Sequence, residues 1–191
     1  MKLFEPYIGN NYHKYRILLI GESHYFSTKQ DFSVKDWYDN KIILTDELKK
    51  QCHTKSIVND FLNGNKKIYT IYRFPAKVIG KLLNKNDYEA FTYVAFFNFF
   101  QRPNFQKGSI DVNDLDIKYG NEAFKKNYEM LKPQITLFLS KKAFRCLDKI
   151  PINCHCLVHP SSAWWYKNNG KLGCKKMEEL LKPIIEKGEL K

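Results

Sequence analysis

Two short polar segments hold residue types able to do chemistry. Gly21-Glu22-Ser23-His24-Tyr25 follows the apolar run Ile17-Leu18-Leu19-Ile20, and His159-Pro160-Ser161-Ser162 follows the apolar residues 154–158. Each reads as a buried strand opening into a polar loop, and α/β proteins bind ligands beyond the carboxyl ends of such strands. Loops far apart in sequence can face one pocket. Glu22 would bring a proton acceptor, His24 and His159 imidazoles, and Ser23 and Ser161 hydroxyls.

The elements needed to hold these loops follow from hydrophobic pattern. Strands are predicted over 16–21, 91–100, 135–140 and 153–158; the run 17–20 has no polar alternation and suits a sheet covered on both faces. Helices are predicted over 45–62, 75–83, 121–131 and 141–147, with a last one over 174–187 interrupted near Pro183. Thr45 would cap the first of these, with Asp46 and Glu47 in its opening turn, and Gly64 and Asn65 would end it. Residues 1–14 read as an irregular aromatic lead-in and 104–118 as a loop. Strand–helix alternation predicts one α/β domain over 1–191. It is a three-layer α/β/α arrangement with a central, mostly parallel four-stranded sheet.

Bulk properties set the class. The chain has 191 residues and is 43% hydrophobic, enough for one well-filled core. No apolar run reaches the roughly 20 residues that span a bilayer. The first residues lack a signal-peptide layout, so a cytoplasmic protein without a membrane partner is expected. The five cysteines have no framework spacing and read as free thiols in a reducing compartment. Cys154, Cys156 and His159 lack the paired spacing and fourth ligand of a metal site, so neither metal nor cofactor is expected. The net charge of +12 permits a polyanionic partner.

Four landmarks, in order, resemble the uracil-DNA glycosylase superfamily and span most of the chain. Gly21-Glu22-Ser23-His24-Tyr25 looks like its first catalytic motif. Phe97-Asn98-Phe99-Phe100-Gln101-Arg102-Pro103 looks like the strand whose Asn reads the base. The segment 131–144 is similar to the third strand and following helix, and His159-Pro160-Ser161 matches the last motif. The resemblance implies that a base is flipped into a pocket and its N-glycosidic bond hydrolysed. His159 would stabilise the departing base anion, and Glu22 or His24 would position water. Asn98 would read the base edge, while Gly21, Tyr25 and Phe26 would wall the pocket; Phe32 or Phe74 are alternative stacking residues. Ser161, Ser162 and Arg102 would meet DNA, and Trp164 and Trp165 would supply the wedge that fills the vacated stack. DNA is expected over RNA as the partner, and a monomer is expected.

The chain departs from the family where a water-activating Asp is replaced by Ser23, and the family's Pro by His24. Two rivals follow. Gly21-Glu22-Ser23 also resembles the nucleophile block of SGNH-type ester hydrolases, with Ser23 as nucleophile and His159 as base. That family's Asp is missing three residues before the His, where Cys156 stands. Alternatively, the glycosylase fold would persist as a nucleic-acid-binding module without chemistry.

Overall fold

Strands covered on both faces need continuous apolar runs, and the three inner strands grow from such runs. The computed structural model describes residues 4–64, 70–106, 109–166 and 173–188. In chain order the strands are β1 (Tyr7–Ile8), β2 (Ile17–Gly21), β3 (Val94–Asn98), β4 (Ile135–Phe138) and β5 (Cys154–Cys156). The helices are α1 (Tyr12–Tyr15), α2 (Val34–Tyr38), α3 (Asp46–Cys52), α4 (Thr54–Leu62), α5 (Thr70–Leu83), α6 (Asp87–Phe91), α7 (Asp114–Leu131), α8 (Lys141–Arg145) and α9 (Gly173–Glu186). A 3₁₀ turn covers Ala163–Trp165.

The sheet runs β1-β3-β2-β4-β5, all parallel except β1, which pairs antiparallel with β3. Every residue of β2, β3 and β4 is buried. Alternate side chains of β2 enter two cores. Ile17 and Leu19 pack with residues of α4, α5 and α9, whereas Leu18 and Ile20 pack with residues of α7 and α8. Helices thus cover both sides of an α/β sheet. The expected four strands are corrected to five. The extra strand, β1, lies in the stretch read as irregular; two residues are too few to show a period.

Other boundaries move for local reasons. The helix expected over 45–62 breaks at His53, whose backbone is extended, into α3 and α4. Thr45 caps α3 as expected, its Oγ1 accepting the Leu48 N–H at 3.3 Å. The expected end at Asn65 lies outside the described residues. Phe91 belongs to α6 rather than to β3. α7 begins well before residue 121, because Asn113 and Asp116 form a capping box. α9 continues through Pro183 instead of breaking there.

Two features place the loops. The chain leaves β2 toward β3 on one side, then crosses over to β4 on the other. A crevice opens between the carboxyl ends of β2 and β4, at the topological switch point. Behind it lies a buried hub. Asp116, fully buried, accepts Arg102 Nε and Nη2 at 2.8 and 2.9 Å, the Tyr38 hydroxyl at 2.7 Å and the Asn113 N–H at 3.1 Å. Arg102 is 3% exposed, lies over the Phe105 ring and also donates to Pro103 and Asp111 carbonyls. The expected DNA contact from Arg102 is therefore corrected: every donor direction it uses points inward.

Removing one partner of a buried pair strands the other charge, at a cost of about 3–5 kcal/mol. Arg102→Met should lower the urea midpoint by an amount in that range. Arg102→Met combined with Asp116→Asn should recover part of the loss. A single variant within about 0.5 kcal/mol of wild type, the usual range for surface changes, would show that the pair does not hold the loops.

Candidate functional site

The last residue of β2, Gly21, is a glycine for a steric reason. A Cβ there would lie 2.2 Å from Asn98 Oδ1 and 2.8 Å from Phe96 Cζ. Asn98, directly across from Gly21 in the parallel register, fills the space a side chain would need. The chain then turns outward, held by the Phe99 and Phe100 N–H groups donating to the Gly21 and Glu22 carbonyls at 3.1 and 3.0 Å.

Beyond that turn lies a cleft of about 460 Å³. Glu22 and Tyr25 line it from the β2 loop, and His159, Ser161, Ser162 and Trp164 line it from the β5 loop. Ser109, Ser140, Lys141 and Lys142 complete much of the wall. Glu22 is held by two hydroxyls: Ser109 donates to one carboxylate oxygen at 2.8 Å and Ser140 to the other at 2.7 Å. Lys142 Nζ donates to Ser109 Oγ at 2.7 Å and to the Ile110 carbonyl at 2.6 Å, fixing the segment that carries Ser109. Each Glu22 oxygen keeps a lone pair for a ligand.

His159 is held by its own loop. The Ser161 N–H donates to His159 Nδ1 at 3.2 Å, and the Ser161 hydroxyl lies 2.6 Å from the same nitrogen. A backbone N–H can only donate, so Nδ1 is the acceptor and the proton of the neutral ring sits on Nε2. Burial lowers the His159 pKa, with the Glu22 charge opposing that shift. At neutral pH the ring is a neutral N–H donor. Nε2 has no protein partner among the described residues. Burial raises the Tyr25 phenol above its ordinary value and the Glu22 charge adds to the rise, while nearby Ser23 opposes it. Tyr25 thus remains a hydroxyl at neutral pH.

Several expected site residues lie elsewhere. His24 is 5% exposed, its Nε2 sits 2.9 Å from Thr54 Oγ1 in α4, and its ring meets Phe4 edge-on. It is a core histidine, not a water-positioning group. Ser23 is 7% exposed, and its Oγ is sealed with no hydrogen-bond partner. The acyl-transfer pair Ser23–His159 is therefore not assembled. Phe26 stacks on Phe105 in a separate aromatic cluster that also takes in Phe32. Phe74 packs on Tyr166, away from the cleft lining. Asn98 packs behind Gly21, and its side chain makes no hydrogen bond to a described residue.

The two tryptophans separate. Trp164 is 58% exposed at the cleft, whereas Trp165 is fully buried beside Met177 and Leu181 of α9. Gly173 touches its ring, where a Cβ would come within 2.5 Å of Cε3. Trp165 is corrected to a core anchor. Ser162 caps the 3₁₀ turn between them by accepting the Trp164 N–H at 3.2 Å. Among the described residues no three His, Cys, Asp or Glu side chains gather as metal ligands. Sequence reasoning missed Ser109 and Ser140 as partners of Glu22. Ser140 carried a signal, since it precedes a helix and caps it; Ser109 carried none.

Comparison with known proteins adds no family: no protein-family model matches the chain, and no curated protein does. Among the described residues no helix is long and apolar enough to cross a membrane.

The sealed His24 makes a pH prediction. Burial, with the nearby His53 charge adding to it, drives its pKa down to about 3 in the folded protein. The unfolded chain binds this proton near its ordinary value of about 6.5. Its stabilising effect is thus fully present above that value and is lost progressively as pH falls toward 3. The urea midpoint of wild type should fall over this window, and His24→Gln should fall less steeply. Parallel profiles would show that His24 is not held neutral.

Proposed function

We propose that this protein is a DNA glycosylase-like hydrolase. It takes a damaged or deaminated base into the cleft and hydrolyses its N-glycosidic bond, using a three-layer α/β/α fold of the uracil-DNA glycosylase type. The observation that carries this reading is the pairing of Glu22 and His159 in one cleft at the switch point. One is a carboxylate acceptor fixed by two serines; the other is a neutral imidazole with its proton on Nε2.

The reaction needs both. The bond from C1′ to the base nitrogen breaks with its electron pair going to the base, leaving an oxocarbenium-like sugar. His159 Nε2–H donates to the base oxygen where negative charge collects, the strongest lever a site has. A water adds its oxygen to C1′, and Glu22 orients it and takes its proton. That proton then leaves through solvent as the base anion is protonated. Glu22 also offsets positive charge on the sugar. Tyr25 would supply an aromatic wall, and Trp164, exposed at the cleft, would be the wedge that enters the stack. Base flipping favours damaged or mismatched pairs, whose unstacking costs least.

The test is a strand-nicking assay with alkali on oligonucleotides carrying uracil, hypoxanthine, xanthine, 5-hydroxymethyluracil or a T·G mismatch, single and double stranded. Wild type should leave abasic sites on at least one. His159→Ala should lower turnover by roughly 100- to 1000-fold, the usual cost of one donor to a developing anion, while DNA binding is retained. Glu22→Gln, which keeps shape but not charge, should also lose turnover. DNA binding without cleavage of any substrate in the panel would leave a binding module instead.

A further inference from the structure

We infer that Lys141, Arg145 and Lys176 form a phosphate track beside the cleft, carrying the backbone of a nucleic-acid strand that flanks the extruded nucleotide. The extruded nucleotide rests on the glycosylase-like reading; the track itself requires only a polyanionic strand.

The argument is the placement of unpaired charge. Lys141 and Arg145 stand one turn apart on α8, so both side chains leave the same helix face. α8 follows β4, and β5 pairs beside β4. Lys176, on α9, reaches back to β5 and donates to the Cys156 carbonyl at 3.0 Å. Phe138 of β4 pairs with Cys156 of β5, so α8 and Lys176 flank the same part of the sheet; in keeping with this, burial raises the Cys156 thiol pKa, and Lys176, Lys141 and Arg145 all oppose that rise. All three cationic residues are exposed, and Lys141 also lines the cleft.

None of the three forms an ion pair among the described residues. Several cations elsewhere do. Lys35 pairs with Asp39 at 2.5 Å, Lys49 with Asp46 at 2.8 Å and Lys85 with Glu89 at 2.7 Å. On α9 itself Lys175 and Lys182 lie beside Glu179 and Glu186, whereas Lys176, like Lys141 and Arg145 on α8, is left open on the flank beside the cleft. Uncompensated surface cations repel one another and cost stability unless a polyanion meets them. Glu22 sharpens the geometry. A carboxylate at the cleft centre repels phosphate and tolerates a neutral base, so a strand places its base inward and its phosphates on the rim.

The test measures binding of a fluorescein-labelled single strand of undamaged sequence by anisotropy, across a salt series. Each phosphate contact contributes about 0.7 to the slope of log K against log salt for a single strand. The triple variant K141Q/R145Q/K176Q should therefore lose about 2 from that slope. The control K35Q/K49Q/K85Q, which removes the same formal charge from paired sites, should lose far less. A second reading uses Cys156 in the wild-type protein: bound strand should slow its alkylation by maleimide, measured by peptide mass spectrometry. Equal slope losses in the two variants, or unchanged Cys156 alkylation, would overturn the track. Loss of binding to phosphatidylserine vesicles with oligonucleotide binding intact would overturn it in favour of a lipid surface. None of these readings involves base excision, so failure of the nicking assay and failure of the track are separate results.

Discussion

Asp116 is the constraint on which the site's arrangement depends. A fully buried carboxylate needs several donors, and here they come from three separate places: Arg102 after β3, Tyr38 in α2 and Asn113 at the start of α7. Meeting that demand ties the segment after β3 to the body of the protein. Arg102 then holds the Asp111 carbonyl, Lys142 holds the Ile110 carbonyl, and the same segment brings Ser109 to Glu22. The position of the Glu22 carboxylate is thus set by electrostatics some way behind it. Such a pair contributes little net stability compared with apolar packing. What it supplies here is a fixed course for a stretch of chain with no regular structure.

His159 is organised by a different logic. Its loop needs no long-range partner, because Ser161 closes back on Nδ1 within two residues and the Ser162 N–H bonds the His159 carbonyl at 2.8 Å. The loop's anchorage comes afterwards, from Trp165 buried against α9. One half of the cleft is therefore held by a buried charge network and the other by a local turn pinned by an apolar side chain. The two halves are joined through the sheet, where β2 and β4 are neighbours and β5 lies beside β4.

This division explains what the sequence could and could not disclose. The inner strands were legible because four apolar residues in succession at 17–20 leave no face for water. A strand followed by His-Pro-Ser suits a loop better than a core, and the HPSS loop does line the cleft. β1 was not, since two residues carry no period. The start of α7 was not either: Asn113, Asp114 and Asp116 read as loop composition, yet Asn113 and Asp116 are the cap that begins the helix. Arg102 beside a motif reads as a surface cation until its partner, fourteen residues on, is seen to be buried with it. Trp164 and Trp165 are indistinguishable in sequence; the 3₁₀ turn decides that one faces solvent and the other the core.

The same local geometry bears on the residue where this chain departs from the glycosylase pattern. In the β2 loop, Glu22 faces the cleft and Ser23 faces inward, its hydroxyl sealed and without a partner. A carboxylate at position 23 on this backbone would be largely buried, with the Tyr25 phenol as its neighbour, and burying a charge costs far more than burying a hydroxyl. The small neutral side chain at 23 and the acidic one at 22 are then two halves of one arrangement. The acidic side chain of this loop stands at 22, where Ser109 and Ser140 hold it. A water placed against Glu22 would lie in the cleft that His159 also lines, so an acceptor and a donor share one cleft.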